Sequence, residues 1–248
     1  MDIRHTYRIH VAGDLASGLS LSVSPDQAHY LRHVLRLKAG ESLRLFNGRD
    51  GEYLGTISAE SKKSVVLSIG QQLRPQSPEP DLWLCCAPIK KSHFDNMLEK
   101  ATELGVNEIQ PVLTERTQVR EINGDRLYCL CREAAEQSER LSIPAIGSPV
   151  SLPDFIDVFP QDRALIVCAE WGKAEPIHDA FHAPELNTFK KAAVLVGPEG
   201  GFSGDELTLL RSHPYAFFVR LGPRILRADT AALSALACWQ AMRGDWSA

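Results

Sequence analysis

The rhythm of apolar and polar positions changes near residue 80. Upstream, "SLRLFNGRDGEYLGTISAE" alternates residue by residue and turns at Asn47-Gly48 and Asp50-Gly51, and "KSVVLSIG" adds another strand-like run. Alternation punctuated by glycine turns predicts a small antiparallel β-barrel. One helix interrupts it. Ser24-Pro25-Asp26-Gln27 spells a capping box with proline at the first helical position and opens "QAHYLRHVLRL". In "RPQSPEPD", residues 74–81, three prolines exclude both helix and central strand, which predicts a linker.

Downstream, short apolar runs alternate with helical periods, the pattern of a parallel sheet with helices on both faces. "DLWLCCAPI", "VNEIQPVLT", "RALIVCAE", "AAVLVG" and "AFFVRLG" read as its buried strands. Ser92 is placed to cap a helix whose apolar stripe is Phe94, Met97, Leu98, Ala101 and Leu104, ended by Gly105. A second helix over 125–141 turns Leu127, Leu130, Cys131, Ala134, Ser138 and Leu141 inward and sets Glu133, Gln137 and Arg140 on another face. The last helix, "DTAALSALACWQAM", starts at Asp229 or Thr230 as N-cap and is apolar on nearly every side. Such a helix needs cover from its own domain or from a second subunit, so a homodimer is expected. Residues 172–190 read as a long connection without a defined element.

With 248 residues, 44% apolar and 23% charged, the chain suits one large domain or two smaller ones. No apolar run approaches the roughly 18–20 residues that span a bilayer. "MDIRHTYRIHV" lacks the apolar core of an export signal, so no membrane is expected and the cytoplasm is the expected location. The six cysteines (Cys85, Cys86, Cys129, Cys131, Cys168 and Cys238) form neither a C-x-x-C pair nor a zinc pattern with histidine. They read as reduced, small hydrophobes, and no metal is expected. Net charge is −4, but residues 1–75 hold 10 Lys and Arg against 7 Asp and Glu, which leaves −7 for the rest. His5, His10, His29 and His33 also fall in that basic front, the balance a nucleic-acid partner favours.

The chemistry concentrates in "LVGPEGGFSG", residues 195–204, between an apolar strand and the helical "DELTLLRSH". Its glycines, 197, 200, 201 and 204, include no pair two apart, so the dinucleotide fingerprint is absent. It has no lysine and carries Glu199, which would repel phosphates, so a polyphosphate loop is excluded as well. Two further loops, after Cys168 and after Leu221, also follow strand C-terminal ends, the edge where parallel sheets bind ligands.

The pairing of "GPEGGFSGDEL" with "LGPRILRADTAALSAL" resembles the ribosomal small-subunit methyltransferase E family, the 16S rRNA (uracil-N3)-methyltransferases of the SPOUT class. "HYLRHVLRLKAG", "LFNGRDGEY", "EKATELGVNEIQPVLTER" and "EAAEQSERLSIP" extend that resemblance over nearly the whole chain. Asp229 departs from it, standing where many relatives carry glutamate. The resemblance implies an α/β fold: a PUA-like RNA-binding β-barrel over residues 1–74 and a SPOUT methyltransferase domain with a C-terminal trefoil knot over 81–248.

It further implies S-adenosyl-L-methionine as cofactor and 16S rRNA of the small ribosomal subunit as partner. The cofactor residues it implies are Glu170 from the first loop; Leu195, Gly197, Pro198, Glu199, Gly200 and Gly201 from the second; and Leu221, Gly222, Ile225 and Leu226 from the third. Methylating uracil N3 requires removal of a weakly acidic proton. Arg227 is the candidate cation for the charge that spreads onto O2 and O4, with Glu199 or Asp229 as proton acceptor or orienting group. Arg8, His29, Arg32, Arg36 and Lys38 are candidate phosphate contacts, joined by Gln137 and Arg140 from the "EQSER" match. A non-catalytic RNA-binding factor of the same fold stays open as the alternative.

Overall fold

The computed structural model describes residues 6–60, 64–169 and 174–247. The chain divides into two compact units: Met1–Pro78 with Ala135–Ile143, and Glu79–Ala134 with Pro144–Ala248.

The first unit is built on a sheet of β1 (Arg8–His10), β2 (Ser20–Ser22), β3 (Ser42–Phe46), β4 (Glu52–Glu60) and β5 (Val65–Arg74), in the order β1-β3-β4-β5-β2. β1 runs parallel to β3 and the other pairings are antiparallel. The expected turns at 47–51 join β3 to β4: Asn47 Oδ1 accepts from the Arg49 and Asp50 amides, and Gly48 and Gly51 sit at φ 81° and 90°. Register shifts between β4 and β5 add local twist and curl the sheet. Because side chains alternate faces, Ile9, Leu43, Leu45, Ile57, Leu67 and Ile69 gather on one side and form a core with Ala28 and Leu31.

Those last two come from the predicted helix, which starts as read and continues differently. α1 (Pro25–His29) has both capping-box hydrogen bonds and proline in its first turn. Past His29 the chain widens into a π turn, Tyr30–Val34, in which the Leu35 amide reaches the Tyr30 carbonyl at 3.0 Å. The Leu37 amide then bonds the Leu31 carbonyl, and Arg36 takes φ 57° to allow it. The result buries both Leu31 and Leu37, which a straight α-helix would place on different faces.

Ala135–Ile143 completes this unit, with Phe46 packed on Ala135 and Leu141. A buried charge cluster lies beside them. Arg8 Nε donates to Glu52 Oε1 at 2.5 Å, its other nitrogens donate to the Ala135 and Arg140 carbonyls, and its guanidinium lies 3.8 Å from the Phe46 ring centre. Arg74 Nε donates to Glu52 Oε2 at 2.9 Å, and Arg44 pairs with Glu139 at 2.7 Å. Arg8 and Arg140, expected to touch phosphates, are therefore structural here: both are buried, and Arg8 has its donors engaged inside the protein. The second predicted helix, α3 (Gly124–Gln137), stops short of its expected end, and Glu139 enters the left-handed region at φ 62°. Arg140 thus lies beyond the helix and shares no helical face with Glu133 and Gln137.

The second unit holds β6 (Leu82–Cys86), β7 (Glu108–Leu113), β8 (Ala145–Ile146), β9 (Val150–Ser151), β10 (Arg163–Cys168), β11 (Glu175–Pro176), β12 (Lys191–Val196) and β13 (Ala216–Arg220). The order is β11-β13-β10-β12-β6-β7-β8, with β9 beside β7, and every pairing is parallel. On one face, Cys85, Leu165, Val167, Ala193 and Leu195 meet Phe155 of α4 (Leu152–Asp157) and Leu210 of α6 (Gly204–Ser212). On the other, α7 (Ala228–Arg243) packs on β6, β10 and β12, flanked by α2 (Lys91–Glu103) and α5 (Ile177–His182). Burial on both faces explains why these strands read as continuous apolar runs.

α2 begins at Lys90 as N-cap, with no side-chain capping bond, so Ser92 sits inside the first turn and does not cap it. Its end is as expected. Gly105 takes φ 85°, and the amides of Gly105 and Val106 bond the Thr102 and Ala101 carbonyls, a Schellman closure. The 172–190 connection contains β11, α5 and a short 3-10 turn at Leu186–Thr188.

Candidate active site

β13, β10 and β12 are adjacent and parallel, so their C-terminal ends share one sheet edge. β12 leads into 197–203 and β13 into 221–227, and the two loops wall a cavity of about 650 Å³. That volume suits a nucleoside-sized ligand. Cys168 and Ala169 from the end of β10, Arg116 from the loop after β7, Leu207 of α6 and Ala231 of α7 add to the lining.

The first wall is a glycine turn held from both ends. Ser203 and Glu206 form a capping box at the start of α6: Glu206 Oε2 accepts the Ser203 amide at 2.8 Å, while its other oxygen accepts the Glu115 amide at 2.7 Å. Gly201, at φ 68°, donates to the Pro198 carbonyl at 2.8 Å. Any side chain would be crowded where the wall is tightest. A Cβ on Gly197 would lie 3.2 Å from the Phe202 ring, and one on Gly200 would lie 3.3 Å from the Arg116 side chain. Arg116 Nη1 also donates to the Gly200 carbonyl at 2.7 Å, so this arginine clamps the turn.

The second wall is Leu221 to Arg227, opened by Gly222 at φ 91°, a conformation that disfavours any side chain. Arg227 is the N-cap of α7 and is exposed. The expected cap, Asp229, lies inside the first turn instead. Its Oδ1 accepts the Thr230 amide at 2.8 Å, and its Oδ2 lies 3.0 Å from His93 Nδ1. Asp229 is buried and points away from the cavity lining, into a pair that joins the first turns of α2 and α7.

Of the other expected cofactor residues, Gly197, Pro198, Glu199, Gly200, Gly201, Leu221, Gly222, Ile225 and Leu226 all line the cavity. Leu195 does not; it is wholly buried in the β12 core. Glu170 lies outside the described residues. Glu199 is the one carboxylate among the described lining residues, set against the guanidiniums of Arg116, Arg220, Arg224 and Arg227. Cys168, at the floor, has its thiol pushed up to about 12, first by burial and then by Cys238 nearby, so it stays protonated. In the first unit, His29, Arg36 and Lys38 are exposed, and Arg32 donates to the Ala28 carbonyl at 3.1 Å. Gln137 is exposed at the end of α3.

Sequence reading missed His93, Arg116, Arg220 and Arg224. Arg116 carried a usable signal, since it follows the C-terminal end of a parallel strand. His93 carried none, because its partner is 136 residues away.

Residues 75–240 match an RNA methyltransferase domain family and residues 23–70 an RNA methyltransferase PUA domain. The ribosomal RNA small subunit methyltransferase E of Rickettsia conorii is 35% identical over 231 residues, covering 93% of each chain. The chain belongs to the ribosomal RNA small subunit methyltransferase E family. A second member, from Synechocystis, is 30% identical and spans 93% of this chain and 76% of its own. Among solved structures, the family member from Neisseria gonorrhoeae bound to S-adenosyl methionine superposes with a TM-score of 0.88 at 26% identity, covering 98% of this chain and 100% of that one. A methyltransferase from Legionella pneumophila with bound SAM gives 0.84 at 32% identity, covering 96% and 98%.

Proposed function

We propose that this protein is an S-adenosyl-L-methionine-dependent methyltransferase acting on N3 of one uridine in 16S rRNA of the small ribosomal subunit. The observation that carries this reading is the cavity between two loops whose close approaches are made by glycine. Gly197, Gly200, Gly201 and Gly222 all line it, so much of its wall is bare backbone open to hydrogen bonding with a ligand. Family membership and the S-adenosyl methionine bound in the Neisseria and Legionella structures support the same ligand.

Bound there, S-adenosyl-L-methionine would supply an electrophilic methyl group on a sulfonium. The residues of the chain do the rest. Gly197–Gly201 with Leu221, Gly222, Ile225 and Leu226 hold and orient the donor and shield it from water. Arg227, exposed at the cavity wall, stabilises the negative charge on the uracil carbonyls. Glu199 is the proton acceptor, because it alone among the described lining residues is a carboxylate. Asp229 is the orienting group, fixing the first turn of α7 through His93.

Within this reading, residues 1–74 bind RNA and residues 81–248 form the knotted SPOUT domain. The exposed His29, Arg36 and Lys38, with Arg32 and Gln137, supply contacts for the first task. A homodimer accounts for the half-buried Leu233, Ala237 and Cys238 on α7. The protein works in the cytoplasm in this reading, and no described helix is long and apolar enough to cross a membrane.

The test is to incubate the protein with S-adenosyl-L-methionine and small subunits from a strain lacking the modification, then to map methylation by reverse transcription. A methyl on N3 removes a Watson–Crick donor, so the expected result is a new stop at a single uridine. A methyl group on ribose or on another base would refute the N3 assignment.

A further inference from the structure

We propose that Arg220 and Arg224, on the wall formed after β13, are a phosphate-binding shelf for the RNA strand that carries the target base. The proposal rests on the functional reading above and adds a substrate contact in the catalytic unit itself.

The charge of the cavity is its starting point. Among the described residues, four arginines, Arg116, Arg220, Arg224 and Arg227, line the cavity with one carboxylate, Glu199, although the chain as a whole carries −4. Like charges gathered in one concavity repel one another, and an anionic ligand relieves that cost. The donor does not supply that anion, because its sulfonium and ammonium outweigh its single carboxylate. One guanidinium suffices for that carboxylate, and Arg227 has the uracil carbonyls to serve.

The arginines also differ in how far their hydrogen-bonding capacity is used. Arg116 spends one nitrogen on the Gly200 carbonyl and belongs to the glycine turn. Among the described residues, the side chains of Arg220 and Arg224 form neither an ion pair nor a hydrogen bond, and both are exposed. Arg220 closes β13, so its backbone is fixed in the sheet. Four residues on, Arg224 follows the Gly222 turn, whose φ of 91° sets the path of the wall that carries it. Two forked donors, unspent among the described residues, on the rim of a nucleoside-sized cavity match the phosphates on either side of a base that has been turned into it.

The experiment compares wild type with Arg220→Gln/Arg224→Gln and Arg220→Lys/Arg224→Lys. Binding of a fluorescein-labelled single-stranded RNA is followed by anisotropy across a salt series, and S-adenosyl-L-methionine binding by calorimetry. The glutamine pair is expected to weaken RNA binding and to lower the slope of log affinity against log salt by about 1.4, at roughly 0.7 per lost phosphate contact. The lysine pair should keep that slope, and donor affinity should stay within about twofold in both. An unchanged slope in the glutamine pair would overturn the shelf. So would a tenfold loss of donor affinity with RNA binding intact, which would assign these arginines to the carboxylate of the donor. If wild type itself fails to bind the donor, the methyltransferase reading falls, while the salt slopes still decide the shelf.

Discussion

Arg227 carries the sharpest prediction at the scale of single residues. It faces the cavity, has no capping bond to α7 and is exposed, so its removal should leave the walls in place. Arg227→Ala is expected to bind the donor as wild type does and to lose about 100-fold or more in kcat, the usual effect of deleting one donor to a developing oxyanion. Single-turnover methylation beside calorimetry checks it, and full activity would remove Arg227 from the chemistry. Glu52 makes a different kind of prediction. Burial pulls its carboxyl up, but hydrogen bonds from Arg74 and Arg8 outweigh that and hold it below the ordinary glutamate value. A lowered carboxylate stabilises the fold fully above its unfolded pKa and loses that contribution as pH falls through the folded one. Denaturant unfolding should therefore show stability dropping on the acid side of the ordinary glutamate range. Glu52→Gln leaves Arg8 buried without its counter-ion and should be about 3–5 kcal/mol less stable at neutral pH, with a flatter acid limb.

Elements were legible in the sequence where local rules set them, and misread where a distant partner intervened. The Ser24 capping box, the Gly105 helix stop and the five long strands of the parallel sheet rest on period and turn chemistry within a few residues, and all stand in the structure. The cap of α7 was misplaced because Asp229 is drawn inward by His93 on another helix. Arg8 looked like a free cation because the carbonyls that receive it come from residues 135 and 140. The cavity was partly legible: glycine spacing marked one wall, but the Arg116 clamp depends on a strand order that spacing alone does not reveal. At this scale Gly105→Ala is informative. Its φ of 85° disfavours any side chain by about 1–2 kcal/mol. The added Cβ would also lie 2.7 Å from Gln240 Nε2, which donates to the Leu104 carbonyl. A thermal melt should show a clear loss of stability, with donor affinity unchanged after correction for unfolded protein.

For the whole molecule, the division into units cuts across the order of the chain. Residues 135–143 belong with the first 78, supplying Ala135 and Leu141 to the Phe46 cluster and two carbonyls to Arg8. A fragment of residues 1–78 would leave buried donors without partners, at about 1–3 kcal/mol each. Circular dichroism should find it unfolded or much less stable than the same unit in the intact chain; a fragment as stable as the intact unit would refute this account of the packing. The central claim is that the glycine-walled cavity at the shared edge of β10, β12 and β13 holds the methyl donor, and a crystal structure with S-adenosyl-L-methionine tests it most directly. Density for the donor is predicted between residues 197–201 and 221–226, with backbone contacts from both loops. Density at any other place, or an empty cavity at saturating donor, would contradict it.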